Sequence, residues 1–218
     1  MKIIWYGQGC FQMVLKGEGK SRIAVVIDPF DSRVKLKAPW KKADVLLITQ
    51  QGEESGEIKS AQAQPFLIIG PGEYEIKSIF IQGIAVPCEE RKDQKQKEST
   101  IFTMKAEGIQ LCHLGAFCQG ELTLQQLDKI GDVDVLMIPI GGVSGINKRQ
   151  VLKIISQIEP RIVIPMHYQI PGPRTKQKTL DEFLKAFGIE SIVPQAVISI
   201  KTKDLPKEDE TKVLVLKP

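Results

Sequence analysis

Short apolar runs punctuated by turn residues dominate the first half of the chain. Ile3 to Tyr6, Ile23 to Ile27, Val45 to Ile48, Phe66 to Ile69 and Ile79 to Ile81 are each bounded by Gly, Pro, Asp or charged residues. Runs this short predict strands rather than helices. Gly17-Glu18-Gly19-Lys20 predicts the turn of an initial hairpin, because glycine takes positive φ without a steric penalty. Asp28-Pro29 closes that hairpin's second strand. Gly70-Pro71-Gly72-Glu73-Tyr74 lacks the Lys-Ser/Thr of a phosphate loop and predicts a structural turn entering a strand.

The second half changes period. Arg91 to Glu98 contains no apolar residue, so it cannot bury surface to offset its ordering entropy and is expected to be an exposed loop. Ile101 to Met104 and Ile109 to Leu111 predict a hairpin around Glu107-Gly108. Leu124, Leu127 and Ile130 then fall on one helical face. Val135 to Pro139 and Ile162 to Pro165 predict buried strands on either side of an amphipathic helix, Lys148 to Ile158, with Val151, Leu152, Ile154 and Ile155 inward. Leu180 to Phe187 predicts a helix stopped by Gly188, and Val197 to Ile200 and Val213 to Leu216 predict closing strands. Strands followed by βα units predict a layered α/β sandwich in one domain over residues 1–218.

Composition narrows the function classes. The 30 Lys and Arg against 26 Asp and Glu are scattered, and the densest basic group, Lys35, Lys37, Lys41 and Lys42, has no interleaved aromatics. It reads as a solvated loop, and nucleic acid is not an expected partner. The sequence holds no secretory-type leader pattern and no run of transmembrane length, so a cytoplasmic protein without membrane association is expected. Cys10, Cys88, Cys112 and Cys118 form no CxxC pair, which predicts reduced, mostly buried thiols.

Several segments in order carry a resemblance: Gly7-Gln8-Gly9-Cys10-Phe11, Val26-Ile27-Asp28-Pro29-Phe30, Asp44 to Thr49, Ile69 to Glu75, Leu111-Cys112-His113-Leu114-Gly115, Val133 to Gly142, and Ile164-Pro165-Met166-His167-Tyr168. Together they resemble the metallo-β-lactamase superfamily, in the branch of small metal-dependent hydrolases that includes the L-ascorbate-6-phosphate lactonase. The resemblance implies a four-layer αβ/βα sandwich and, in the family, a zinc or manganese pair.

The same resemblance shows where ligands are missing. In the family, the strand ending in Thr is followed by H-x-H-x-D-H, since two close divalent ions need imidazoles and carboxylates converging from tight loops. Here Gln50 and Gly52 stand at the first two histidines, Glu54 at the aspartate and Ser55 at the last histidine. Cys88 falls near a further family histidine, Ala116 at the bridging aspartate, and Gln8 where a histidine commonly occurs. Only His167 keeps a family ligand position, and Asp28 matches an aspartate that braces the metal loop or, on its own chemistry, caps the turn before Pro29.

A count independent of that comparison agrees: the chain has two histidines, His113 and His167, against about five ligating imidazoles in such a centre. No metal cofactor is expected, although Glu53, Glu54 and Glu57 are the carboxylates through which a magnesium or manganese site would have to be built. The candidate remnant pocket is Gln50, Glu54, Ser55, Cys88, His113, Ala116 and His167, with no catalytic residue assigned. Adjacent strand residues face opposite ways, so Cys112 and His113 are not expected to pair, and His113 reads best as a buried structural histidine. Gly141-Gly142 reads either as a close approach for a ligand or as a tight turn.

The leading expectation is a pseudoenzyme with a small-molecule ligand or a protein partner. The alternative is an active hydrolase of a phosphorylated or ester-like substrate, using a mononuclear or metal-free site near Glu54, Cys88, His113 and His167. Whether the chain is an enzyme, and whether copies of it assemble, is left open at this level.

Overall fold

The computed structural model describes residues 1–17, 19, 21–29, 43–50, 65–88, 98–142, 146–170 and 179–218. The first sheet is built from β1 (Lys2–Gly7), β2 (Cys10–Lys16), β3 (Arg22–Ile27), β4 (Val45–Ile48), β5 (Phe66–Ile69) and β12 (Ile198–Ser199), in the order β12-β1-β2-β3-β4-β5. The second contains β6 (Gly72–Ile76), β7 (Ile79–Pro87), β8 (Glu98–Ala106), β9 (Ile109–His113), β10 (Val135–Pro139), β11 (Ile162–Met166) and β13 (Lys212–Val213), in the order β13-β11-β10-β9-β8-β7-β6. Both are mixed: β1, β2 and β3 are antiparallel while β3, β4 and β5 are parallel. Likewise β6 to β9 are antiparallel, and β10 runs parallel to both β9 and β11.

The alternation of side chains explains how the sheets stack. Ile3, Trp5, Phe11, Met13, Leu15, Ile23, Val25, Ile27, Val45 and Leu47, all at odd positions, enter one core shared with the second sheet. Even-numbered Cys10, Val26 and Leu46 turn to the outer face, where Ala43 joins them in a separate small cluster. Period 2 therefore assigns each strand one face to the central core. By contrast, every residue of β10 and β11 is buried, as expected for central strands with packed material on both faces.

Helix α1 (Leu124–Ile130) is fixed by a capping box in which Thr123 and Gln126 satisfy each other's backbone N–H groups. Its inward residues are Gln126 and Ile130, and Leu124 is 80% exposed, so the expected apolar stripe is corrected at its first position. Gln126 is drawn in because its amide donates to Ala85 O and to Gln119 Oε1. Helix α2 (Lys148–Ile158) has an equivalent box from Asn147 and Gln150 and buries Val151, Ile154, Ile155 and Ile158, while Leu152 is only half-buried. Helix α3 (Leu180–Ala186) ends just before Gly188, at φ 67°.

Strand β7 continues six residues past the expected Ile81, pairing with β8 in register from Phe80↔Lys105 to Pro87↔Glu98. Gly83 allows this: a side chain there would strike the Gly70 carbonyl. The closing strands are shorter than expected, at two residues each. The loops anticipated around Lys35–Lys42 and over Arg91–Lys97 lie outside the described residues, and Glu98 opens β8. No helix among the described residues is long and apolar enough to cross a membrane.

Candidate functional site

One end of the two sheets gathers the chemistry. Strands β1, β3 and β4 share a direction, as do β7, β9, β10 and β11, so the residues following each collect at carboxyl ends, where ligands of open α/β sheets bind. There lie the Gln8-Gly9 turn, Asp28, Thr49, His113, Gly115, Gly141 and His167.

His167 follows β11 at φ 53°, and Gln8 and Asp28 also hold positive φ, at 51° and 45°. Three non-glycine residues in this region at one end of the fold require strong local support. For His167 it comes from two sides. Its amide donates to Gln8 O at 3.2 Å, an oxygen that also accepts from Trp5 Nε1 at 2.9 Å. Its carbonyl packs so closely beneath Gly141 that a Cβ on Gly141 would land on it. Gly141 is thus a close backbone approach, but of the β11 turn rather than of a ligand.

Gly9 sits between the polar groups. A Cβ there would lie 2.7 Å from His167 Nε2 and 3.3 Å from Asp28 Oδ2, so imidazole and carboxylate both converge on the space that glycine leaves. Asp28 accepts from Thr49 twice, at Oδ1 from the amide (2.8 Å) and at Oδ2 from the hydroxyl (2.6 Å). Burial raises its pKa to about 6 against the lowering effect of both Thr49 bonds. Burial likewise takes His167 down to about 4, so its imidazole is neutral at pH 7.

His113 is held inside the fold by backbone groups. It is fully buried, stacked edge-on against Phe11 at 5.6 Å, and both ring nitrogens meet backbone. Nδ1 accepts from the Gly115 N–H at 3.1 Å, which makes Nε2 the protonated nitrogen, donating to Gly9 O at 3.1 Å. Burial lowers its pKa to about 3, with the His167 charge a smaller contribution in the same direction and the Gly9 bond opposing.

The cysteine expectation is corrected. Cys88, just past β7, and Cys118, in the loop after β9, form a disulfide with Cα atoms 5.6 Å apart, while Cys10 and Cys112 are buried outside any disulfide. The pairing depends on β7 and β9 ending on the same side, which a 30-residue spacing does not reveal. A thiol–imidazole nucleophile at Cys88 or Cys118 is thereby removed, and burial pushes the Cys112 thiol far up.

Of the expected pocket, the structure brings His113, His167 and the loop carrying Ala116 to one end, with Cys88 beside that loop and half-buried Gln50 directly after Thr49. Glu54 and Ser55, with Gly52, Glu53 and Glu57, lie outside the described residues. Among the described residues no three His, Cys, Asp or Glu side chains converge as a metal would need. Sequence reasoning did not assign Gly9 and Thr49 to the site, although both lie in motif segments that carry the resemblance. A cavity of about 590 Å³ lies elsewhere, around Lys16, Ser78, Glu107 and Lys201.

Comparison with known proteins agrees with this fold. A family model described as the beta-lactamase superfamily domain matches residues 2–167. A UPF0173 protein of Pyrococcus abyssi is 27% identical over 191 residues, covering 79% of this chain and 85% of the relative. A UPF0173 metal-dependent hydrolase of Archaeoglobus fulgidus is 25% identical over 229 residues, covering 91% and 95%. Among solved structures, a proposed Zn-dependent hydrolase of the metallo-beta-lactamase superfamily from Thermotoga maritima aligns with a TM-score of 0.72 at 27% identity, covering 99% of each chain. A metallo hydrolase of Ignicoccus hospitalis shares the fold, with a TM-score of 0.63 at 17% identity over 92% of this chain and 99% of the other.

Proposed function

Because the chain belongs to the beta-lactamase superfamily, whose domain spans residues 2–167, we propose that it is a degenerate member, built on the hydrolase fold but without the dinuclear metal centre, and that it acts by binding a ligand or partner. The observation that carries this reading is the engagement of His113: both ring nitrogens are committed to backbone groups, so neither lone pair is free for a cation. With two histidines in the chain, His167 is the one imidazole left.

The remaining donors fit no better. Ala116 offers no donor atom, Cys88 is bonded to Cys118, and both Asp28 oxygens accept from Thr49. Zinc selects imidazole, thiolate and carboxylate in converging sets of three or four. The described residues at this end do not make one, and no reaction step through a metal follows from them. What the site does offer is a neutral imidazole and a partly protonated carboxyl on either side of a glycine, a surface able to accept and donate hydrogen bonds to a neutral or weakly polar molecule.

The test is elemental analysis of protein purified without chelator. The expected result is zinc, manganese and iron all well below one per chain; stoichiometric metal overturns the reading. The rival is an active hydrolase of the kind its relatives' names describe. The neutral His167 would then be the proton acceptor toward a water attacking an ester-like or phosphorylated substrate. Turnover of lactone, thioester or phosphodiester substrates that disappears in His167→Ala would establish the rival; no turnover, or turnover indifferent to the substitution, removes it.

A further inference from the structure

In a dinuclear hydrolase of this fold the metal ions do more than chemistry: they fasten loops from separate strands to one another. Among the described residues the donors for that fastening do not converge, yet the loops are tied. Cys88 stands at the end of β7, and Cys118 lies two residues beyond Ala116, in the loop after β9 that carries Gly115 against Thr49. The disulfide joins these two walls across 30 residues of sequence. A second, non-covalent clamp runs parallel to it, since the Gln126 amide bridges Ala85 O on the same strand end and Gln119 Oε1 in the same loop.

The other two cysteines do not compete for the bond. Cys10 and Cys112 are fully buried, and lie in β2 and β9, which belong to different sheets. Cys118, by contrast, is half-buried and open to a reagent, with Cys88 behind it.

We propose that the Cys88–Cys118 disulfide is an oxidative modification that replaces metal coordination as the fastening of the pocket wall. The proposal rests on the reading of a degenerate centre given above. The bond forms by thiol–disulfide exchange with a low-molecular-weight or protein disulfide, RSSR. The Cys118 thiolate attacks one sulfur of RSSR, an S–S bond breaks, and one RS⁻ leaves. The Cys88 thiolate then attacks Cys118 in the mixed disulfide and expels the second RS⁻. The two protons released by the cysteines end on the two thiols, the protein pair is oxidised by two electrons, and RSSR is reduced by the same two.

Three readouts on the full chain test this. Alkylation in denaturant at lysis, followed by mass spectrometry, should find two alkylated cysteines before reduction, Cys10 and Cys112, and four after it. Reduction should lower the melting temperature by about 10 °C, the value expected for opening a loop of this length. It should also raise amide exchange at residues 84–88 and 114–119 while leaving β10 and α2 protected. The Cys88→Ser/Cys118→Ser variant should be indifferent to reductant; where it does not fold, reduction of the native protein carries the test.

Four free thiols at lysis, or melting and exchange unchanged by reduction, overturn the cross-link and leave the degenerate-centre reading intact. Stoichiometric zinc captured by the reduced native protein but not by the double serine variant also overturns it, by making the pair a thiolate ligand set. Metal in the protein as purified overturns both.

Discussion

Asp28 receives both hydrogen bonds that Thr49 can direct to it, amide to one oxygen and hydroxyl to the other. The pair locks the end of β3 to the end of β4 at the mouth of the candidate site. It also sets up a conflict, because a carboxylate so enclosed is desolvated more than two hydrogen bonds can offset, and its pKa rises to about 6.

A raised carboxyl pKa means that the native state binds this proton more tightly than the unfolded chain. The stabilisation is complete below about pH 4 and disappears as pH climbs through about 6. Asp28→Asn removes the charge and keeps the shape. We expect it to gain about 1–2 kcal/mol relative to the native protein between pH 5 and pH 8, measured by urea denaturation at both values. A difference independent of pH would show that Asp28 does not titrate in that window.

The histidines act in the opposite direction. His113 and His167, with pKa lowered to about 3 and about 4, are neutral in the fold and must be charged in the unfolded chain below pH 6.5. Their stabilisation is complete above pH 6.5 and is lost as pH falls toward 4. Two histidines outweigh one aspartate, so net acid destabilisation is expected in this interval. His113→Gln should flatten the curve of urea midpoint against pH, while costing about 2–3 kcal/mol at pH 8 from the Gly9 and Gly115 backbone groups left unpaired. An unaltered slope would assign the acid sensitivity elsewhere.

Gly141 is predicted to be intolerant of any side chain. A Cβ would overlap the His167 carbonyl, and backbone on both sides cannot yield as a side-chain tip can. Gly141→Ala should cost about 3 kcal/mol or more, read as a fall in melting temperature. Gly9→Ala meets only the movable ring of His167 and the edge of Asp28. It should cost less stability while displacing the imidazole, visible as a shift of the His167 ring resonances. Equal penalties at the two glycines would contradict the geometry.

Much of this was legible in the residues. Val45–Ile48, Val135–Pro139 and Lys148–Ile158 fall where apolar periodicity places them, because burial on one or two faces leaves a periodic signature. The ordered motifs identified the family, and the scarcity of imidazole followed from a count. Leu124 shows the limit: it fits the apolar face by spacing, yet the capping box and the Gln126 bridge turn the helix so that a glutamine is buried instead.

What the chain's own order determined, then, is which donors exist: two imidazoles, four thiols, and no aspartate at position 116. Local pattern carries such facts because they need no partner. Which of those donors remain available was decided only by the tertiary structure. The carbonyl of Gly9 occupies His113 from 104 residues away, and Cys118 takes Cys88 from 30 residues away. Contacts between distant segments leave no periodic trace in either one, since they arise only when strands within a sheet, or in the two facing sheets, bring their ends to the same side.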